Sequence, residues 1–387
     1  HPRPGANDNA SGAAAVLECA RVLATLAADG RLAGPRRTVR FLWMPEFTGT
    51  YAWHEARPES VRATVAAINL DMVGEKQDDC GSTFLLERAP HFLGSFADDL
   101  LARVRSAAQD WVKDFSGEGH YSLARMAEVP YSGGSDHALW MDPGIGVPCP
   151  MLIQWPDRYY HTDLDTPDRC DPASLALAVR SAATYAAFIA GAGAAECRWL
   201  LGLVSRAARR RMLAALDGAS PWSRAEGERE RGLRALASLG RLALGTQAED
   251  AIVAELRAQL PLAVEELEGF WESEVLPGLA RQSRPALRFG GRVPERLLPG
   301  LLSPMRSLCE GWDALPQAER IGWPRLEDAL PGGGTACDVA WFACDGMRGI
   351  GDIEGMLERE GHDIAEGALE RWFEALTRLG VARWKDE

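Results

Sequence analysis

Several features are missing from this chain of 387 residues, and each absence narrows the reading. No two of its eight cysteines form a CxxC pair. They are scattered through a chain too large to need covalent staples, which points to reduced, mostly buried thiols. No uninterrupted apolar run approaches the ~18 residues of a membrane span, so no membrane association is expected. There is no excess of positive charge. The formal net charge of -13 disfavours nucleic acid or an anionic membrane surface as a partner, because phosphate would be repelled. Internal repeats and low-complexity tracts are absent too. Residue 1 is histidine, no signal peptide follows, and the chain opens at once on a dense polar loop. A globular domain rarely begins on such a loop, so the natural protein is expected to continue upstream, with a cytoplasmic location as the default.

What remains is ordinary for a soluble protein, with 47% hydrophobic and 25% charged residues, and room for one large domain with one or two small ones. From Ser11 to Ala28 apolar residues recur at helical spacing, with Asn9 or Ser11 available as N-cap. Short apolar runs read as strands at Thr38–Met44, Val65–Met72, Ser82–Glu87 and Met151–Trp155. Helical patterns lie between them, at Phe92–Val112 and Pro172–Ala190. This alternation predicts an α/β layered domain over 1–193 with a largely parallel sheet. Residues 194–330 lack convincing strands and read as a helical region; Ala248–Phe270 has clear helical periodicity. The glycines after Pro331 mark a linker. Beyond it, residues 331–387 predict a compact unit: a turn at Cys344–Gly346, helices Ile350–Glu360 and Asp363–Leu379, and strand-like Val381–Trp384. Two short helices followed by a strand suggest a winged-helix-like module. From Ala336 to Glu387 there are twelve acidic and six basic residues. That balance favours a structural role, protein docking or self-association over DNA binding.

The chemistry concentrates early. Six of the seven histidines lie within residues 1–161. A hydrolytic zinc site needs neutral imidazoles and ionised carboxylates as ligands, and a free carboxylate near the attacking water as general base. Five segments offer them. In Gly5-Ala-Asn-Asp-Asn-Ala-Ser-Gly12, small residues surround Asp8 at a helix start, seven residues after His1. Alone, this loop reads equally as an N-cap. In Met44-Pro-Glu-Phe-Thr-Gly-Thr50, Glu46 follows a strand, an unlikely place for a solvated charge, although a helix-start carboxylate is the plain alternative. In Asn69-Leu-Asp-Met-Val-Gly74, Asp71 interrupts an apolar run, which is costly unless it is paired or coordinated. In Ser132-Gly-Gly-Ser-Asp-His137, Asp136 and His137 are placed to bind substrate or support the site, or form a polar turn. In Tyr160-His-Thr-Asp-Leu-Asp-Thr166, His161 is the strongest imidazole candidate, Tyr160 lies beside it, and Asp165 is placed to hold its other nitrogen or order the loop.

Taken in order, these segments resemble the zinc aminopeptidases of the aminopeptidase Y and bacterial leucyl aminopeptidase kind. That family shares its fold with glutaminyl cyclase and the protease-like domain of the transferrin receptor. HPRPGANDNASG, PEFTGT, NLDMVG, GSDH and HTDLDT carry the resemblance over about residues 1–190. The acidic tail and the form of the PEFTG segment are similar to a bacterial aminopeptidase-like subgroup with an additional C-terminal domain. The resemblance implies a three-layer, mixed, largely parallel zinc-exopeptidase fold and a peptide substrate with a free N-terminus. It implies one or two zinc ions held by His1, Asp8, Asp71 and His161, with Asp8 bridging and Glu46 as general base. The family pattern has consecutive glutamates where this chain has Glu46-Phe47. That departure motivates two other readings, a single-zinc glutaminyl-cyclase-like acyltransferase and a non-catalytic peptidase-like scaffold.

Overall fold

The computed structural model describes residues 3–218, 220–280, 282, 290–302, 316–318, 330–331 and 333–385. Helix α1 (Gly12–Ala28) opens the N-terminal part. It is followed by strand β1 (Asn69–Leu70), strand β2 (Thr83–Glu87), helix α2 (Phe96–Ala108), strand β3 (Met126–Val129), strand β4 (Met151–Trp155) and helix α3 (Pro172–Gly191). The strands form one mixed sheet in the order β1-β4-β2-β3. β1 runs parallel to β4 and β3 parallel to β2, but β4 and β2 are antiparallel, with Leu152 opposite Leu86. The expected α/β alternation is present, and the sheet is mixed, with two of its three pairings parallel and the central pair reversed.

Helix starts follow local chemistry. Ser95 accepts the Ala97 N–H at 3.1 Å to begin α2. Asp171 accepts the Ser174 N–H at 3.1 Å to begin α3, with Pro172 in the first turn. At α1 the Ser11 side chain makes no cap bond. Asn9 does the work instead, its Oδ1 accepting the Gly12 N–H at 3.0 Å. A Cβ on Gly12 would stand 2.2 Å from the Leu70 carbonyl oxygen, so this glycine lets α1 begin directly against β1.

The apolar run Thr38–Met44 forms no strand. It is a half-exposed segment lining a cavity, and of Val65–Met72 only Asn69–Leu70 is paired. An apolar run is necessary for a buried strand but does not supply a hydrogen-bonding neighbour. Two helical stretches, Ala6–Ala28 and Pro172–Gly191, are long and apolar enough to cross a membrane by length and composition. Neither is an uninterrupted apolar run; alanine keeps their mean hydropathy high between polar residues. The first is interrupted by non-helical backbone at Asp8 and Asn9, and α1 and α3 pack on each other.

Beyond α3, helices α4 (Ala194–Ala215), α5 (Pro221–Ser238) and α6 (Ala251–Phe270) share an apolar core with α1–α3 and the sheet. A short strand, β5 (Pro294–Arg296), lies in the region expected to lack strands. Helices α7 (Gly333–Ala343), α8 (Ile350–Glu360) and α9 (Ala368–Arg378) follow, then β6 (Ala382–Trp384), which pairs antiparallel with β5. Helix α7 occupies the expected linker from Gly333 onward. The C-terminal helices share a second core with Ala89, Phe92, Tyr131, Trp140 and Val147 of the N-terminal half. Apolar packing therefore crosses the sequence boundaries expected near residues 193 and 331.

Candidate metal centre

The Asp8 loop is tied to the segment after β1 by the two asparagines that flank it. Asn9 Oδ1 accepts the Met72 N–H at 3.1 Å, and Asn9 Nδ2 donates to the Leu70 carbonyl at 3.1 Å. Asn7 Oδ1 accepts the Gly74 N–H at 3.0 Å, and Ser11 Oγ accepts the Val73 N–H at 3.0 Å. Asp165 accepts the backbone N–H groups of Asn7 at 2.7 Å and Asp8 at 3.0 Å. Of the two tasks expected for Asp165, it performs the ordering of the loop. The asparagines matter as much as the aspartate between them, since each spends a side chain in holding Asp8 beside Asp71.

Six of the expected residues gather at one place. His161 Nε2 lies 3.3 Å from Asp8 Oδ2. Tyr160 stacks on the His161 ring, with 3.7 Å between centroids, and meets Trp155 edge-on. Asp71 is 8% exposed. Burial pushes its carboxyl up to about 6, with Asp8 and Asp136 adding repulsion and the Ser135 hydroxyl and His137 opposing it. Glu46 lies at the surface as a residue, but its carboxyl end turns inward. Desolvation first, then Asp71, Asp136 and Asp8, push it up to about 7, against a hydrogen bond from Ser135. Asp8 is raised by burial and by Asp165 and Asp157, with His161 pulling the other way. Asp136 Oδ1 accepts the Phe47 N–H at 2.8 Å, which anchors the turn carrying Glu46.

The backbone adds an independent sign. Phe47 (φ 54°), Met72 (φ 53°) and His161 (φ 56°) hold left-handed conformations that L-residues rarely adopt; Ser220 is the other such non-glycine residue among those described. Each of the three is a candidate or adjoins one, and strained backbone of this kind collects at functional sites. Asp8, Glu46, Asp71 and Asp136 line a cavity of about 1000 Å³ whose apolar wall includes Val16, Phe41, Ile68 and Tyr185.

The donor set suits a hard or borderline divalent cation. Carboxylates of one sign crowd together with one imidazole, and without a cation or protons their repulsion would be uncompensated. Asp8, Asp71 and His161 do not close into a single group with all ligand atoms within 4.8 Å of one another; among the described residues that is reached by Glu75, Cys80 and Asp157. His1 lies outside the described residues. His137 does not face the cluster as a free ligand. It is fully buried, with Nε2 2.7 Å from Glu87 Oε1 and its ring edge-on to Tyr131. Glu87 also accepts the N–H groups of Ser132 and Gly133, so this pair supports the SDH segment from behind. Ser135, which serves Glu46 and Asp71 and accepts from Asn69 Nδ2 at 2.9 Å, was not singled out from sequence; its only signal is its place inside that segment.

Residues 1–186 match the model of peptidase family M28. No curated protein matches the chain. Among solved structures it is similar to an aminopeptidase from Aneurinibacillus sp. strain AM-1, at 23% identity over 48% of this chain and 40% of that one, with a TM-score of 0.33. It is also similar to a Clostridium acetobutylicum protein provisionally described as a peptidase, at 14% identity over 98% of this chain and 54% of that one, with a TM-score of 0.38. The chain thus spans about half the length of these structures or less.

Proposed function

We propose that this chain is a zinc-dependent aminopeptidase that hydrolyses the first peptide bond of substrates with a free N-terminus. The observation that carries the reading is the gathering of Asp8, Glu46, Asp71 and Asp136 along one cavity, with His161 against Asp8, on backbone strained at three points. Peptidases of the M28 family are generally zinc-dependent. Asp8 interacts with both Asp71 and His161, which supports a reading with two ions. Asp71 would serve one ion and His161 the other, and Asp8 would bridge them. His1 is retained as a further candidate ligand. Bound zinc would acidify the attacking water and polarise the scissile carbonyl.

The chain's own residues supply the rest. Glu46 takes a proton from the attacking water and returns it to the leaving amine; a carboxyl raised to about 7 is suited to both transfers near neutral pH. Asp136 fixes the turn on which Glu46 sits and adds a carboxylate where the family pattern has a second glutamate. Tyr160, stacked on His161, holds that imidazole in place. The nearby acids bind the substrate's ammonium group, which restricts cleavage to the N-terminus. The order of α7, α8, α9 and the β5–β6 ladder supports a winged-helix-like reading of residues 331–387. Their negative charge favours a docking role toward protein over one toward DNA.

The test is release of a free amino acid from an unblocked peptide by the full chain supplied with zinc. Glu46→Gln should lower kcat by about 10²–10⁴-fold with zinc content unchanged, because an amide cannot take the proton. A variant that loses its zinc would make Glu46 a ligand, and a zinc-loaded wild type that releases no amino acid would sink the peptidase reading.

A further inference from the structure

A second cluster lies behind the first. Glu75 follows β1, Cys80 ends the short helix Gln77–Cys80, and Asp157 follows β4. Their ligand atoms all lie within 4.8 Å of one another, and all three residues are buried. Glu75 is fully buried, and its carboxylate oxygens face Asp157, Ser82 and Cys80 without a hydrogen bond of standard geometry. The Ser82 hydroxyl is likewise buried, and it lies against Glu75 without a bond of standard geometry. An ionised carboxylate held this way is expensive unless a cation or a proton neutralises it. A proton on Glu75 would satisfy one of its oxygens against Asp157, and the Cys80 thiol would then have only Glu75 as a partner.

The geometry points to a structural metal site at Glu75, Cys80 and Asp157, taking a zinc-class divalent ion and tying together the loops that carry Asp8, Asp71 and His161. The donor chemistry selects the class of ion: one thiolate with two carboxylates suits borderline zinc better than calcium or magnesium, which take oxygen alone. The positions supply the role. Glu75 stands four residues after Asp71, and Asp157 four residues before His161. Asp157 Oδ2 accepts from Asn7 Nδ2 at 3.2 Å, and Asn7 precedes Asp8. Its Oδ1 accepts the Tyr159 N–H at 2.6 Å, which shapes the turn leading to His161. One ion here would fix all three segments from a single point, as supporting interactions around metal centres do. Cys170, whose Sγ would lie 3.3 Å from a Cβ placed on Gly74, is a neighbouring thiol outside the ligand group.

This inference stands apart from the peptidase reading, and its test does not use activity. The full chain is loaded with cobalt(II) alone, and thiolate-to-cobalt charge-transfer absorption and metal per chain are measured. Wild type should show the thiolate band. Cys80→Ser should lose the band and about one equivalent of metal, while Cys170→Ser keeps both. Asp8→Asn should keep the band, so failure of the peptidase site and failure of this one are separable. If Cys80→Ser does not fold, Glu75→Gln replaces it and should weaken the cobalt binding read by that band at least tenfold. A wild type without a thiolate band, as expected if a proton alone neutralises Glu75, overturns the proposal. So does a Cys80→Ser or Glu75→Gln protein that binds cobalt as wild type does.

Discussion

Two buried groups of charges in this molecule behave in opposite ways. At the candidate metal centre, Asp71 and Glu46 are pushed up to about 6 and about 7, because burial and neighbouring carboxylates act in the same direction. Between the N-terminal half and the C-terminal helices, acids are interleaved with bases. Asp99 meets Arg88 at 3.0 Å and Arg211 at 2.5 Å; Arg211 Nε meets Glu228 at 2.7 Å. His91 joins Glu228 at 3.2 Å to Glu360 at 2.7 Å. Burial would raise Asp99 and Glu228, but Arg211 and Arg88 around the first, and Arg231, His91 and Arg211 around the second, outweigh it and hold both below the usual carboxylate range. Burial is common to both groups, so it does not decide the outcome. The second group carries its own cations and serves to join segments; the first lacks them and is suited to receive one.

The comparison breaks most sharply if an arginine is taken from the second group. Arg211→Met should destabilise the fold by about 3–5 kcal/mol in urea unfolding, since Asp99 and Glu228 would stay buried with less compensation. A loss within experimental error would show that the network adds nothing. In the first group the sign should reverse. Asp71→Asn in metal-stripped protein at neutral pH should raise stability, by an amount on the order of 1–3 kcal/mol given its raised pKa, and should lower stability relative to wild type once zinc is supplied. Destabilisation under both conditions would mean that Asp71 is paired within the protein itself. The smallest effect concerns His91. Burial and Arg231 lower its pKa, but Glu360 and Glu228 prevail and raise it above 6.5. A raised histidine contributes stability that is fully present below its unfolded pKa and lost as pH rises through the folded value. Wild type should therefore lose more stability than His91→Gln as pH is raised from 6 through that value. Parallel pH profiles would remove His91 from the network's energetics.

The candidate site was largely legible as separate pieces. Asp8, Glu46, Asp71, Asp136 and His161 each stood out because a charged or metal-binding side chain interrupted an apolar or small-residue context, where solvation is unavailable. Less visible were the residues that serve them. Nothing in composition marks Asn7 and Asn9 as ties to residues 70–74, or Ser135 as the hydroxyl between two acids, since a polar residue in a loop is usually solvated. Phe47, which looked only like a missing glutamate, proves to be strained backbone held by Asp136. His137, of the two tasks open to it, is placed to support the site, as a buried partner of Glu87 behind the SDH segment. In the fold, helices with caps and long periodicity were placed to within a few residues. Thr38–Met44 and the reversed central strand pair were not, because strand pairing depends on neighbours distant in sequence.

The sequence by itself determined the long capped helices, the two apolar runs Ser82–Glu87 and Met151–Trp155 that pair in the sheet, and the five polar segments on which the function turns. All of these rest on local spacing, capping and the cost of a misplaced charge. Only the tertiary structure decided which carboxylates meet one another and which meet arginine. It alone brought Glu75, Cys80 and Asp157 together from three loops, and it packed the C-terminal helices onto the N-terminal half. Charge compensation and metal geometry act through space over a few ångströms, and residues as far apart as Asn7 and Asp157 come within that range only when the chain folds.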